Sequence, residues 1–286
     1  MALRSDRETH SSMPGIWDIL LFAALGLTAG TLSGLFGIGG GMVIVPGLFY
    51  LLRTVDIPYP LLMHMAAGTS MCIMLFTATS SATAHHLRGD VHWRLLLQIV
   101  PAIAIGVTLG KLMSYQLATE YLECIFGLFL LFVSLKILLG GLSKAETVGQ
   151  PKVWLTNVVG IVLGFKSGVL GIGGGAISVP FLLYSGLPMS QASGTSAAFT
   201  LPIAVVGTVN CLLMSSTGVN LPLATGAIYW PAVALVGPFA VLGAPIGTSL
   251  CHKIASERLK RWFALFLLFL GLRLLFEAAQ NFISAG

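Results

Sequence analysis

The sequence predicts an all-α polytopic membrane protein: two inverted repeats of about five transmembrane segments each, with glycine-rich broken helices. Three observations lead there. The 286 residues are 56% hydrophobic and only 9% charged, with a mean hydropathy of +0.93. Water-soluble domains carry about 25% charged residues, so this chain cannot cover a water-facing surface. Apolar runs of roughly 20 residues, the length of a membrane crossing, recur from end to end. Finally, one stretch occurs twice, as GLFGIGGGMVIVP at 34–46 and GVLGIGGGAISVP at 168–180.

Residues 1–15 read as a polar tail without a signal-peptide cleavage pattern. The first repeat, 16–139, holds segments at about 17–36, 42–52, 64–84, 95–115 and 121–139. The second of these is short for a full span. A polar linker at 140–153, rich in Gly and mixed charge, divides the halves. The second repeat, 154–286, holds segments at about 154–170, 176–187, 190–214, 228–250 and 259–280. The tryptophans, Trp17, Trp93, Trp154, Trp230 and Trp262, stand at segment starts, where indole rings favour the headgroup level.

The duplication extends past the glycines. Trp17 matches Trp154, Trp93 matches Trp230, and Gly106, Gly110, Glu120 and Phe126 match Gly243, Gly247, Glu257 and Phe263, all at a spacing of 137. Gly68-Thr69-Ser70 matches Gly194-Thr195-Ser196 at 126. Five segments per half, an odd number, would make the halves inverted; if each glycine hairpin were a single crossing, they would be parallel, and Lys253, Arg258, Lys260 and Arg261 would fall opposite Arg88 and Arg94. Charge favours the inverted arrangement. With ten crossings and the N-terminus outside, Arg88, Arg94, Lys136, Lys144, Lys152, Lys253, Arg258, Lys260 and Arg261 fall on the cytoplasmic side. Arg4, Arg7, Arg53 and Lys111 fall outside, as the positive-inside rule requires. The same rule explains the net charge of +5, so no nucleic-acid partner is expected. The lipid bilayer is the expected surrounding, and a homo-oligomer is compatible with the sequence.

Three consecutive glycines break a helix. Inside a membrane a break is tolerated where its backbone groups are buried in protein or line a polar cavity. Paired breaks in two halves point to a substrate site. Met42 and Ala176 would open half-helices whose free N–H groups suit an anion. The candidate site residues are therefore Gly39, Gly40, Gly41, Met42, Gly173, Gly174, Gly175 and Ala176. Close helix packing through small residues is the competing reading. Thr69, Ser70, Thr195 and Ser196 could donate to an oxyanion or cap a half-helix. Lys166 lies inside the sixth segment, just ahead of the second glycine run; an ionisable residue there points to function, against snorkelling to the interface. Asn210 is a candidate that an interhelical hydrogen bond explains equally well.

Other chemistry is excluded. The glycine runs lack the spacing of a dinucleotide fingerprint, and GVTLGKL at 106–112 falls short of a P-loop. Cys72, Cys124, Cys211 and Cys251 are dispersed, and His85, His86 and His92 sit in one loop, so no metal or cofactor is expected. Asp18, Glu120, Glu123, Glu257 and Glu277 fall near segment ends, so no carboxylate is expected at mid-segment and no enzyme site is evident.

These residues resemble the sulfite exporter TauE/SafE family, also called the toluenesulfonate uptake permease family. The resemblance rests on both GxGGG runs with their Val-Pro (37–46 and 171–180), both GTS motifs and RGDVHW at 88–93. Gly106, Gly110, Leu122 and Phe126, copied at Gly243, Gly247, Leu259 and Phe263, also fit. It covers nearly the whole chain after residue 15. It implies a multi-pass protein of the bacterial inner membrane moving small sulfur-containing or organic anions, such as sulfite, sulfonates or sulfoacetate. Members are assigned to import and to export. Lys166 is not part of the family pattern and rests on the physical argument alone. Export fits the missing carboxylate, since an inside-negative potential drives anions out. An ion-coupled importer of the same anions, and a membrane assembly or scaffold protein without transport, are the alternatives.

Overall fold

The structure, a computed structural model, describes residues 16–37, 39–55, 57–139, 153–213, 222–253 and 257–285. The expected tail at 1–15 and linker residues 140–152 lie outside these, with Arg4, Arg7, Lys144 and Lys152. So do the side chains of Lys253, Arg258 and Lys260.

Ten helices follow in order: α1 Ile16–Phe36, α2 Gly41–Thr54, α3 Tyr59–His86, α4 Trp93–Gln116, α5 Thr119–Leu138, α6 Val153–Leu170, α7 Gly175–Tyr184, α8 Met189–Leu213, α9 Trp230–Lys253 and α10 Glu257–Ala285. Eight are long and apolar enough to cross a membrane. The other two, α2 and α7, have 14 and 10 residues. At 1.5 Å per residue they reach only about 21 and 15 Å, short of the ~30 Å hydrocarbon layer. The ten expected segments are thus eight helices of spanning length and two half-length ones, the short second segment among them. Residues 228–229, expected to open the ninth segment, form a strand instead. A two-stranded ribbon, β1 Ala224–Thr225 and β2 Ile228–Tyr229, precedes α9, turned by Gly226 at φ 59°.

Outer helices are apolar around much of their circumference. On α5, Leu128, Phe132 and Leu135 point away from the protein, as suits a face that meets lipid. The middle of the bundle is α3, with 78% of its apolar window buried, packed against α8.

Backbone-to-backbone approach holds the bundle together. Gly26, Gly30 and Gly34 on α1 press on the carbonyls of Val236, Ala240 and Ala244 on α9, in parallel register. Gly106 and Gly110 on α4 press likewise on Ile161 and Phe165 of α6, also parallel. Lipid tails provide no hydrophobic drive between helices, so association depends on such close packing. By contrast α3 and α8 run antiparallel: Met71 meets Gly207 at one end, and His85 meets Gly194 at the other. The helices α5 and α10 are paired as well. Exchanging the first five helices with the last five maps α1·α9 onto α6·α4, and α2·α3 onto α7·α8.

Candidate functional site

Both breaks exist where the sequence puts them. After α1, Gly37, Gly39 and Gly40 take φ 64°, 73° and 76°. Side chains other than glycine's are strained in that region. After α6 only Gly171, at φ 69°, does so, and Gly174 is right-handed at φ −71°. Identical glycines thus adopt different backbones in the two halves. Different donors take the matching carbonyls. Thr77 Oγ1 on α3 donates to Gly39 O at 3.2 Å. Lys166 Nζ on α6 donates to Gly173 O at 2.9 Å.

The breaks touch each other. A Cβ on Gly41 would lie 2.7 Å from Ile172 Cα and 3.1 Å from Gly173 N. Each break also rests on the other half's long buried helix. Gly37 packs on Ser193 of α8, and Gly171 packs on Ala67 of α3. The chain returns inward after α1: a Cβ on Gly40 would lie 3.0 Å from Ala29 O. Half-helices α2 and α7 thus start inside the bundle, and Gly41, Met42 and Gly175 are buried.

The hydroxyl residues divide into two kinds. Thr195 Oγ1 accepts the His92 N–H at 3.1 Å, and Thr69 Oγ1 accepts the Tyr229 N–H at 3.0 Å. His92 and Tyr229 are matching positions, each just before a tryptophan that starts a helix. Both threonines therefore pin a helix entry. Ser196 Oγ reaches the first break, 2.7 Å from Gly37 O, and lies 2.6 Å from Ser178 Oγ of α7. Its counterpart Ser70 is fully buried, and its hydroxyl makes no hydrogen bond with the described residues.

Lys166 is half-buried, with Nζ 5.1 Å from the centre of the Phe129 ring. One of its N–H donors serves Gly173 O; an ammonium has three. Asn210 is not brought to the breaks. Its Nδ2 donates to Val206 O at 2.9 Å and to Thr108 Oγ1 of α4 at 3.3 Å. It lies about 20 Å along α8 from Ser196.

A cavity of about 70 Å³ opens beside the half-helices. Its lining includes Met42, Gly175 and Ala176 from their first turns. Phe36 at the end of α1, Lys136 near the end of α5, Met189 at the start of α8 and Phe263 near the start of α10 also line it. No carboxylate is among its lining residues. Helix N-termini carry partial positive charge, and Lys136 adds a full one. Among the described residues no group of His, Cys, Asp or Glu could hold a metal ion.

Sequence reasoning missed three residues. Lys136 counted only as a sidedness marker. Lys111 too counts only as a sidedness marker in the sequence, and in the structure it is buried, 1% exposed. Gly168 of α6 packs directly against its backbone, so the signal lay in the adjoining Gly106 and Gly110. Glu123 does fall near a segment end, but it is 0% exposed and neither carboxyl oxygen has a hydrogen bond of good geometry.

The model of the sulfite exporter TauE/SafE family matches residues 22–274. The chain belongs to this family of membrane transporters. It is 35% identical over 258 residues to a "probable membrane transporter protein" of Haemophilus influenzae, covering 90% of this chain and 97% of that one. It is 27% identical to YunE of Bacillus subtilis, covering 91% and 98%, and 24% identical to MJ0441 of Methanocaldococcus jannaschii, covering 84% and 89%. Both carry the same descriptive name. No solved structure matches the chain. The TauE/SafE match takes in both breaks, both GTS motifs and Lys166.

Proposed function

We propose that this TauE/SafE protein is a secondary exporter of small sulfur-containing or organic anions, such as sulfite, sulfonates or sulfoacetate, across the bacterial inner membrane. The observation that carries this reading is the meeting of the two broken helices at Gly41 and Ile172, beside Lys166 and a carboxylate-free cavity. The anion binds where α2 and α7 begin. Backbone N–H groups near Gly39–Met42 and Gly173–Ala176, the hydroxyls of Ser70 and Ser196, and the Lys166 ammonium hold it. Thr69 and Thr195 position the site from behind, through the helix entries they pin.

The repeats, 16–139 and 154–286, are inverted in this reading. Support comes from the antiparallel run of matched helices α3 and α8, and from the charges. The cavity then faces the cytoplasm, on the side of Arg88 and Lys136. An inside-negative potential favours exit of an anion by about 2.3 kcal/mol per charge per 100 mV.

One observation favours a second reading, ion-coupled uptake of the same anions. Glu123 is a fully buried carboxyl in a span. Arg53 near it is engaged with Glu277 at 2.9 Å. A carboxyl so placed can carry a coupling proton.

Flux of radiolabelled sulfite and sulfoacetate in proteoliposomes tests the proposal. Export predicts efflux that rises with an outward-driving potential and needs no pH gradient. No flux of either anion, under any gradient, would contradict both readings and leave a scaffold.

A further inference from the structure

We infer that Lys111, His64, Ser114 and Tyr115 form a second anion site, toward the membrane face opposite the cavity, for one small oxyanion or sulfonate head group. The cavity takes Met189 from the start of α8, which lies at the α3–α4 connection, where Gly194 meets Asp90. The Lys111 cluster sits at the other ends of these two helices, five residues from the end of α4 and five from the start of α3.

The chemistry is that of donors. Lys111 is 1% exposed, and no carboxylate or carbonyl pairs with its ammonium among the described residues. Its one close neighbour of note is the Tyr115 ring, 5.5 Å from Nζ to the centroid. The His64 ring lies 6.1 Å from that of Tyr115, and its Nε2 contacts Ser114 O at 3.2 Å. The remaining polar atoms, His64 Nδ1, Ser114 Oγ and Tyr115 Oη, are buried without a hydrogen bond of good geometry. The Cys211 thiol of α8, a weak partner, lies beside the Tyr115 hydroxyl.

A buried ammonium without a counter-charge is costly, and so is each unmade hydrogen bond. An oxyanion answers the ammonium and the hydroxyls together. It supplies the missing charge to Lys111 and lone pairs to the two hydroxyls, while the His64 ring, whose Nε2 donates to Ser114 O, lines the site. A carbonyl or a water would supply no charge. The cluster is tied to the breaks as well: His64 lies one helical turn from Ala67, on which Gly171 packs. An anion at Lys111 is thus one turn of α3 from the second broken helix. The inference does not depend on transport, since the unpaired donors call for an anion in a static protein too.

A lipid phosphate and a free anion share this chemistry, and burial favours the free anion. Histidine-labelled protein, purified in neutral detergent, can be titrated with sulfite and with sulfate while the His64 imidazole resonances are followed. Saturable movement of these resonances is expected in wild type and in Lys166→Met. In Lys111→Gln the apparent affinity falls at least about tenfold, while Lys111→Arg keeps part of it. The Lys166→Met arm separates this site from the one at the breaks. The wild-type titration and Lys111→Arg decide the matter even where Lys111→Gln fails to fold. Resonances that stay still in wild type, that move equally in Lys111→Gln, or that respond only to added phosphatidylglycerol would overturn the inference.

Discussion

Gly41 and Ile172 stand so close that a Cβ on the glycine would lie 2.7 Å from the Ile172 Cα. The two residues come from different halves of the chain, each beside its own glycine run. This contact makes one place of two motifs. It also explains why glycine is needed at this point, where the opposing break leaves no room for a side chain.

The matching glycines differ in conformation, and so should their variants. Gly40→Ala puts a side chain at φ 76° and a Cβ 3.0 Å from Ala29 O. A cost of about 1–2 kcal/mol is expected from the left-handed backbone alone. Gly174→Ala sits at φ −71° with its nearest neighbour, Leu163 Cδ2, at 3.3 Å. A change within about 0.5 kcal/mol is expected there. Thermal unfolding of the two variants in detergent checks this. Equal losses would mean that the breaks share one backbone.

Thr195→Val and Thr69→Val remove the acceptors for the N–H groups of His92 and Tyr229. Each should lower stability by about 1–3 kcal/mol, the cost of a buried donor left unpaired. Anion affinity of the folded protein should change little. Paired melting and binding measurements separate the two effects. A large loss of affinity at unchanged stability would instead make these hydroxyls direct ligands.

Much of this was legible in the sequence, and the reasons are specific. Length and apolarity mark the eight spans. The doubled motif marks both breaks, because three glycines in a row have few other uses inside a membrane. The targets of Thr69 and Thr195 were hidden, since their partners lie 160 and 103 residues away. Local reasoning suggests capping of the residues' own helix, but the fold makes them clasps on another. Lys111 reads as an interfacial charge until α4 is packed on α6. Identical glycines with different φ values were beyond reach, because their surroundings differ through distant residues: Thr77 of α3 donates to Gly39 O and Lys166 of α6 to Gly173 O.

Glu123→Gln discriminates between the directions of transport. The substitution keeps size and removes the titrating proton. Under the export reading, potential-driven sulfite efflux from proteoliposomes should stay within about twofold of wild type. Under proton-coupled uptake, accumulation driven by an imposed pH gradient should vanish. Potential-driven efflux that also collapses, in folded protein, would count against simple export.

Sulfite affinity of purified wild type, Lys166→Met and Lys166→Arg tests most directly whether an anion meets the broken helices beside Lys166. Methionine keeps the bulk of the side chain and removes its charge, leaving Gly173 O without its donor. Affinity at the breaks should fall at least about tenfold, or roughly 1.4 kcal/mol. Arginine, with its charge kept and its geometry altered, should retain part of it. Equal sulfite affinity in wild type and Lys166→Met would contradict the account, because Lys166 would then do no more than cap a carbonyl.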